Sequence, residues 1–223
     1  MIMKILALDT TTNNCSVALS LDGNIIEKFA VLPRQHNKNI HKMITDICQE
    51  NNIALTELDY LAVTLGPGSF TGVRLGVSVV CGLAYALNIK VIPVSSLAAM
   101  AMYAVSKHDI QKVIVGLDAR MGELYWGVYI PDNSSGVKSI VPDILTSPAG
   151  VLFDSELDLY AVGEAWSVYK DTLPPSFNLP CLNIEPNSDP RAYYVAKLAS
   201  LNTELAISSM DLEPVYLRHN VTS

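Results

Sequence analysis

A strand–turn–strand pattern that comes twice constrains this chain more than any other feature. The first copy opens the sequence: KILALD (4–9) predicts a strand, DTTTNN a polar turn, and residues 15–21 and 24–31 two further strands. Asp22-Gly23 between the last two is a strong hairpin signal, because an Asp-Gly pair tolerates the positive φ angles of a tight β-turn. The second copy begins near Lys112, where a strand ends in Leu117-Asp118, a turn occupies Ala119 to Gly122, and another strand follows. A sheet opening that recurs with so little shared sequence hints at duplication. It places one α/β subdomain at residues 1–105 and another at 106–223, the terminal segment being free to pack back on the first.

After the first copy the period turns helical. Ile40, Met43, Ile44, Ile47 and Cys48 fall at i, i+3, i+4, i+7 and i+8, one apolar stripe within 35–51. YLAVTL (60–65) is a continuous apolar run suited to a buried parallel strand. GPGSFTG (66–72) leads into a helix to about Leu87, and 90–94 reads as a strand. The order βββαβαβ implies a mixed sheet with helices packed on it. Further on, 160–162 predicts a strand, and a helix runs from Asp189 to about Asn202, with Asp189 as N-cap and Pro190 at the first helical position.

Composition removes several function classes. Half of the residues are hydrophobic and 17% are charged, against about 25% in ordinary soluble chains. Disorder is excluded, and much of the surface is expected to be uncharged or covered. The net charge of −7 comes without any basic run, so solitary binding to nucleic acid is not expected. No membrane span is expected: the apolar stretch 73–106 is broken by Arg74, Lys90 and Pro93, and the initial apolar run is shorter than a signal peptide. A cytoplasmic location follows by default. Cys15, Cys48, Cys81 and Cys181 form no CxxC pair and read as buried small residues.

The candidate sites are few. Asp9-Thr10-Thr11 sets a carboxylate and hydroxyls at a strand end, a set that holds a hydrated metal ion with phosphate oxygens or simply closes a structural turn. GPGSFTG lacks the lysine of a phosphate-binding P-loop, and its GxGxxxG spacing differs from the dinucleotide fingerprint. Its Gly68 and Ser69 shape either an anion site at a helix N-terminus or an interface, with Ser69 or Thr71 as N-cap. From Thr71 to Leu87 the one charge is Arg74, and a helix apolar all round needs cover on every side. Gly72, Gly76, Ser78, Gly82 and Ala86 fall within about 160° of arc, a face for close helix approach, covered by a partner or by the chain itself. His36 and His41 stand about 140° apart on a helix, so they do not form the i, i+4 pair of a metal helix and read as polar surface or interface positions. Arg120 beside Asp118 reaches a phosphate or a partner's carboxylate, or else pairs with Glu123. No nucleophile or metal-ligand set appears, so no catalytic or metal residue is assigned.

Five strings in order along the chain resemble the TsaB (YeaZ) family: ILALDTTTNNCSVAL, GPGSFTGVRLGVSVVCGLAYAL, VSSLAAMA, LDARMGELYWGVY and EPVYLR, the match being weakest over 131–187. The resemblance implies an actin-like fold of two ribonuclease-H-like subdomains with mixed sheets. It implies a non-catalytic subunit in the synthesis of threonylcarbamoyladenosine beside the tRNA anticodon, dimerising with and activating the catalytic paralogue TsaD, assisted by the ATPase TsaE. The chain alone is expected to homodimerise, and tRNA to be met through the complex only. His36, Ile40, Gly68, Ser69, Gly72, Arg74, Gly76, Ser78 and Gly82 become the expected interface. Asp9, Thr10, Thr11 and Arg120 become a degenerate nucleotide cleft with no resident cofactor and at most weak ATP or ADP at the heterodimer seam. Gly163-Glu164-Ala165-Trp166, too bulky for an adenine shelf, agrees with a degenerate site. Glu27, on a strand away from both turns, is expected to be silent. The rival readings are an actin-like small-molecule phosphotransferase and a glycopeptidase-like metallopeptidase.

Overall fold

Residues 2–33, 35–152, 159–175, 183–185 and 188–218 are described by the structure, a computed structural model. Cys181 lies outside them. The chain forms two compact units: residues 1–99 with 190–215, and residues 100–189 with 216–223.

The first unit is built on β1 (Lys4–Asp9), β2 (Asn14–Leu21), β3 (Asn24–Val31), β4 (Tyr60–Thr64) and β5 (Lys90–Val94), in the order β3-β2-β1-β4-β5. β2 lies antiparallel to both β1 and β3, while β4 runs parallel to β1 and β5. Side chains alternate across this sheet. Leu6, Leu8, Val17, Leu19, Leu61 and Val63 pack with α1 (His36–Glu50) and α2 (Phe70–Leu87) in one core. The other face carries small residues, Ala7, Ser16, Ala18 and Ala62, all fully buried. Their size lets the alanine-rich α5 (Ala192–Leu201) lie close across the sheet.

The start of α5 differs from the sequence reading. Arg191, not Asp189, is the N-cap residue, and its side chain makes no capping bond. The free N–H groups of the first turn are satisfied from the sheet: Ala192 N–H donates to Ser16 Oγ (2.8 Å) and Tyr193 N–H to Glu27 Oε1 (3.1 Å). Glu27 also pairs with Arg191, whose guanidinium stacks on Phe29. Glu27 is therefore an anchor of α5.

The second unit repeats the plan with β6 (Val113–Arg120), β7 (Glu123–Asp132), β8 (Gly136–Thr146), β9 (Tyr160–Val162) and β10 (Asn183–Glu185). Its order, β10-β9-β6-β7-β8, is that of the first sheet read from the opposite edge, with the same parallel and antiparallel pairings. The duplicated mixed sheets with helices are the actin-like, two-subdomain α/β architecture. Two further α-helices among the described residues are α3 (Ser96–Lys107) and the four-residue α4 (Ala165–Val168). α2 is long and apolar enough to cross a membrane by length and composition, yet one side of it is packed on β4 and β1 as a core helix is.

Candidate functional site

The first turn is closed from within. Asp9, Thr10 and Thr11 are at most 1% exposed. Thr11 Oγ1 (2.7 Å) and Thr64 Oγ1 (2.6 Å) both donate to Asp9 Oδ1. Thr10 Oγ1 donates to Gly72 O at 2.7 Å, and Ser69 N–H donates to Thr11 O at 2.7 Å. A β-carbon on Gly72 would lie 2.0 Å from Thr10 O, one on Gly68 2.6 Å from Thr11 O, and one on Gly76 2.7 Å from Thr10 Oγ1. The glycines of the GPGSFTG region thus admit the threonine turn itself. A phosphate needs backbone N–H groups that point into open space, and here one such group is already spent on the turn. Burial, then the neighbouring Asp9 carboxylate, pushes the Cys15 thiol up to about 12, which keeps it inert at neutral pH. Among the described residues no cluster of three His, Cys, Asp or Glu could hold a metal ion.

The expected interface residues divide into two sets. Ile40 is a core residue with no exposure, and His36 is 9% exposed with Nε2 3.0 Å from Asn14 O, so neither presents a surface. Gly72 and Gly76 face inward against Thr10, and Gly68 faces Thr11. His36, Ile40, Gly72 and Gly76 are thus buried within the unit, and Gly68 is half-buried against Thr11. Ser69 caps α2, its Oγ accepting from Gly72 N–H at 3.4 Å. Arg74, Ser78 and Gly82 are exposed, as are Phe70 and Tyr85 on the same side, and a β-carbon on Gly82 would meet nothing within 4 Å. Arg74 stacks over the Phe70 ring at 3.7 Å. The small-residue arc is split along its length: its Gly72–Gly76 end is core, and its Ser78–Gly82 end is surface.

The second turn is held from behind and open at its tip. Arg120 and Glu123 face each other in register, and Met121-Gly122 make the two-residue turn. Arg120, Met121 and Gly122 have φ of 63°, 57° and 76°. Arg120 pairs with Asp118 (2.8 Å), not with Glu123, and its side chain is 77% exposed. Asp118 Oδ1 accepts from Arg120 N–H (2.8 Å) and from the Tyr169 hydroxyl (2.6 Å). Burial, then the bond to Asp118, pushes Tyr169 up to about 12. Glu123 is taken by Arg218 at 2.6 Å. Glu164 is held above the usual carboxylate range by burial, then by the charges of Asp189 and Asp118. Trp166 is not a surface shelf: it is 1% exposed, donates from Nε1 to Val162 O, and lies over Gly116, where a β-carbon would be 2.5 Å from its ring.

Sequence reasoning missed Thr64, Tyr169 and Arg218. Arg218 stood in the EPVYLR string without a role, and Thr64 closed an apolar strand. Nothing in the local sequence marks Tyr169.

The family model described as "TsaD: tRNA N6-adenosine threonylcarbamoyltransferase" matches residues 28–210. The tRNA threonylcarbamoyladenosine biosynthesis protein TsaB of Haemophilus influenzae is 34% identical over 99% of this chain and 95% of its own length. That of Escherichia coli is 34% identical over 98% and 96%. The crystal structure of YeaZ from Pseudomonas aeruginosa superposes with a TM-score of 0.89 at 33% identity, covering 96% of this chain and all of that one. With end-to-end likeness to relatives of that name, and within the reach of the broader TsaD family model, this chain belongs to the TsaB (YeaZ) family.

Proposed function

We propose that this chain works in tRNA threonylcarbamoyladenosine synthesis as a non-catalytic subunit that binds and activates the catalytic paralogue TsaD, with TsaE as the assisting ATPase. The observation that carries the reading is the outer side of α2. Phe70, Arg74, Ser78, Gly82 and Tyr85 form an exposed stripe on a helix whose opposite side is core. With Ser78 and Gly82 at its centre, such a stripe admits a second helix at short distance and buries apolar area on contact. The closed Asp9 turn supports the non-catalytic part, since Asp9 Oδ1 accepts from the Thr11 and Thr64 hydroxyls and the Thr10 hydroxyl is bonded to Gly72 O. In this reading the protein acts in the cytoplasm, meets tRNA through the complex, and pairs with itself through the same stripe when alone. It holds no resident cofactor and at most weak ATP or ADP at the seam with TsaD.

Reconstitution tests it. With TsaD, TsaE and the enzyme that makes threonylcarbamoyl-adenylate, mass spectrometry of digested tRNA should find the modified nucleoside, and omission of this chain should abolish it. Full modification without the chain overturns the role. Gly82→Leu should leave the circular dichroism unchanged and weaken both self-association and TsaD binding; unaltered dimer mass in light scattering would remove α2 from the interface. Calorimetry of the isolated chain with ATP should give a Kd no tighter than about 1 mM, or about −4 kcal/mol.

A further inference from the structure

We infer that Arg218 is the positioning residue of the Arg120 hairpin, holding the turn so that the Arg120 guanidinium stands outward for an anionic group of the partner; the second half of this statement rests on the function proposed above. Arg120 and Met121 occupy left-handed backbone, which side chains with a β-carbon avoid. A conformation of that kind persists where its surroundings over-determine it. Arg218 supplies the surroundings. Its Nη2 lies 3.2 Å from Ala119 O, 3.3 Å from Arg120 O and 2.6 Å from Glu123 Oε2, and its Nη1 lies 2.8 Å from Met121 Sδ. One side chain thus binds four of the five residues from Ala119 to Glu123. The planar fork of a guanidinium suits it to several acceptors at once, which a lysine ammonium does not match.

The charge pattern gives the clamp its consequence. Arg120 and Glu123 are cross-strand partners, where opposite charges attract. Arg218, 16% exposed, occupies Glu123, and the ion pair of Arg120 is made with Asp118. Asp118 is 4% exposed and takes one side of the Arg120 guanidinium, while the remainder faces solvent. Removing Arg218 would release Glu123 to Arg120, folding the guanidinium back across its own hairpin and relaxing the turn. The C-terminal tail would then govern how the hairpin is presented.

Two measurements separate the clamp from the function. Hydrogen exchange reads the clamp: in Arg218→Ala the Arg120 amide, now protected by Asp118, should exchange about tenfold faster, with β1 amides unchanged. Arg218→Lys, which keeps a cation for Glu123 but not the fork that spans the turn's carbonyls, should lie between. Uniformly faster exchange, or an unchanged Arg120 amide, overturns the clamp whatever the protein does. Reconstituted tRNA modification reads the rest: Arg218→Ala should lower kcat about tenfold with KM for tRNA unchanged, and Arg218→Lys should restore part of it. Faster exchange with kcat unchanged overturns the presentation of Arg120 to a partner and leaves the clamp standing. Full modification without the chain overturns the proposed function and leaves the clamp standing.

Discussion

The two Asp turns occupy the same place in duplicated sheets and have opposite fates. Asp9 and its threonines are sealed under the first turn of α2, with hydroxyl bonded to carboxylate and glycine pressed to backbone. Asp118 has a side chain 4% exposed, but the residues after it rise into solvent, with the Arg120 side chain at 77% and Met121 at 80% exposure. The difference teaches that a strand–turn–strand element is held by whatever covers its carbonyls. In the first unit a helix terminus does this, and the turn becomes core. In the second a tail arginine and a tyrosine hydroxyl do it from one side, and the tip stays free.

The comparison can be broken most sharply at Gly72. Gly72→Ala sets a β-carbon 2.0 Å from a backbone oxygen, and neither element can yield without unseating α2. We expect a loss of about 3 kcal/mol or more in urea unfolding. Next, Thr64→Val keeps the shape and removes one donor from the buried Asp9 carboxylate, for about 2 kcal/mol. Stability unchanged by either substitution would show that the first turn is not sealed by these contacts.

In the second turn the expected effects are smaller. Tyr169→Phe removes one donor to Asp118, costing about 1 kcal/mol near neutral pH. Its pH dependence has a definite sign. A pKa raised to about 12 means that the folded chain holds this proton more tightly than the unfolded one. The contribution is whole below the unfolded tyrosine value of about 10 and is lost as the pH rises through about 12. Urea midpoints of wild type and Tyr169→Phe should therefore converge at high pH; a constant gap contradicts the assignment. Smallest of all, Gly122→Ala places a β-carbon in open space at a φ of 76°, with only the left-handed penalty of about 1 kcal/mol to meet. If it proves as costly as Gly72→Ala, the contrast between the turns fails.

What could be read from the sequence followed the range of the forces. β1, β3, β5 and β9 were legible to the residue because their apolar runs end in turn residues. α3 was not, since SLAAMAMYAVSK is apolar over most of its length and shows no one-sided stripe. β8 was hidden by Pro142, which is tolerated there because β8 is an edge strand with an irregular register. The start of α5 was misplaced because its N–H partners, Ser16 and Glu27, come from the other end of the chain. The same holds for the sites: Asp9 and Asp118 announce themselves, but Thr64 and Tyr169 reach them across sequence distances that no local pattern spans. Gly72 and Gly76 were rightly seen as places of close approach, yet what approaches is the Thr10 turn of the same unit.

The return of residues 190–215 to the first unit has a consequence for the order in which a ribosome can finish the molecule. α5 lies across β1 to β5, and its anchors on Ser16 and Glu27 wait for a segment translated after nearly the whole second unit. Until then the nascent chain carries a five-stranded sheet with one side uncovered, its alanine and serine face open to solvent and to passing polypeptide. A stalled or clipped product that stops short of Ala192 would be left in that state, so quality control in the cell has an early-made, late-completed surface by which to tell full-length molecules from fragments.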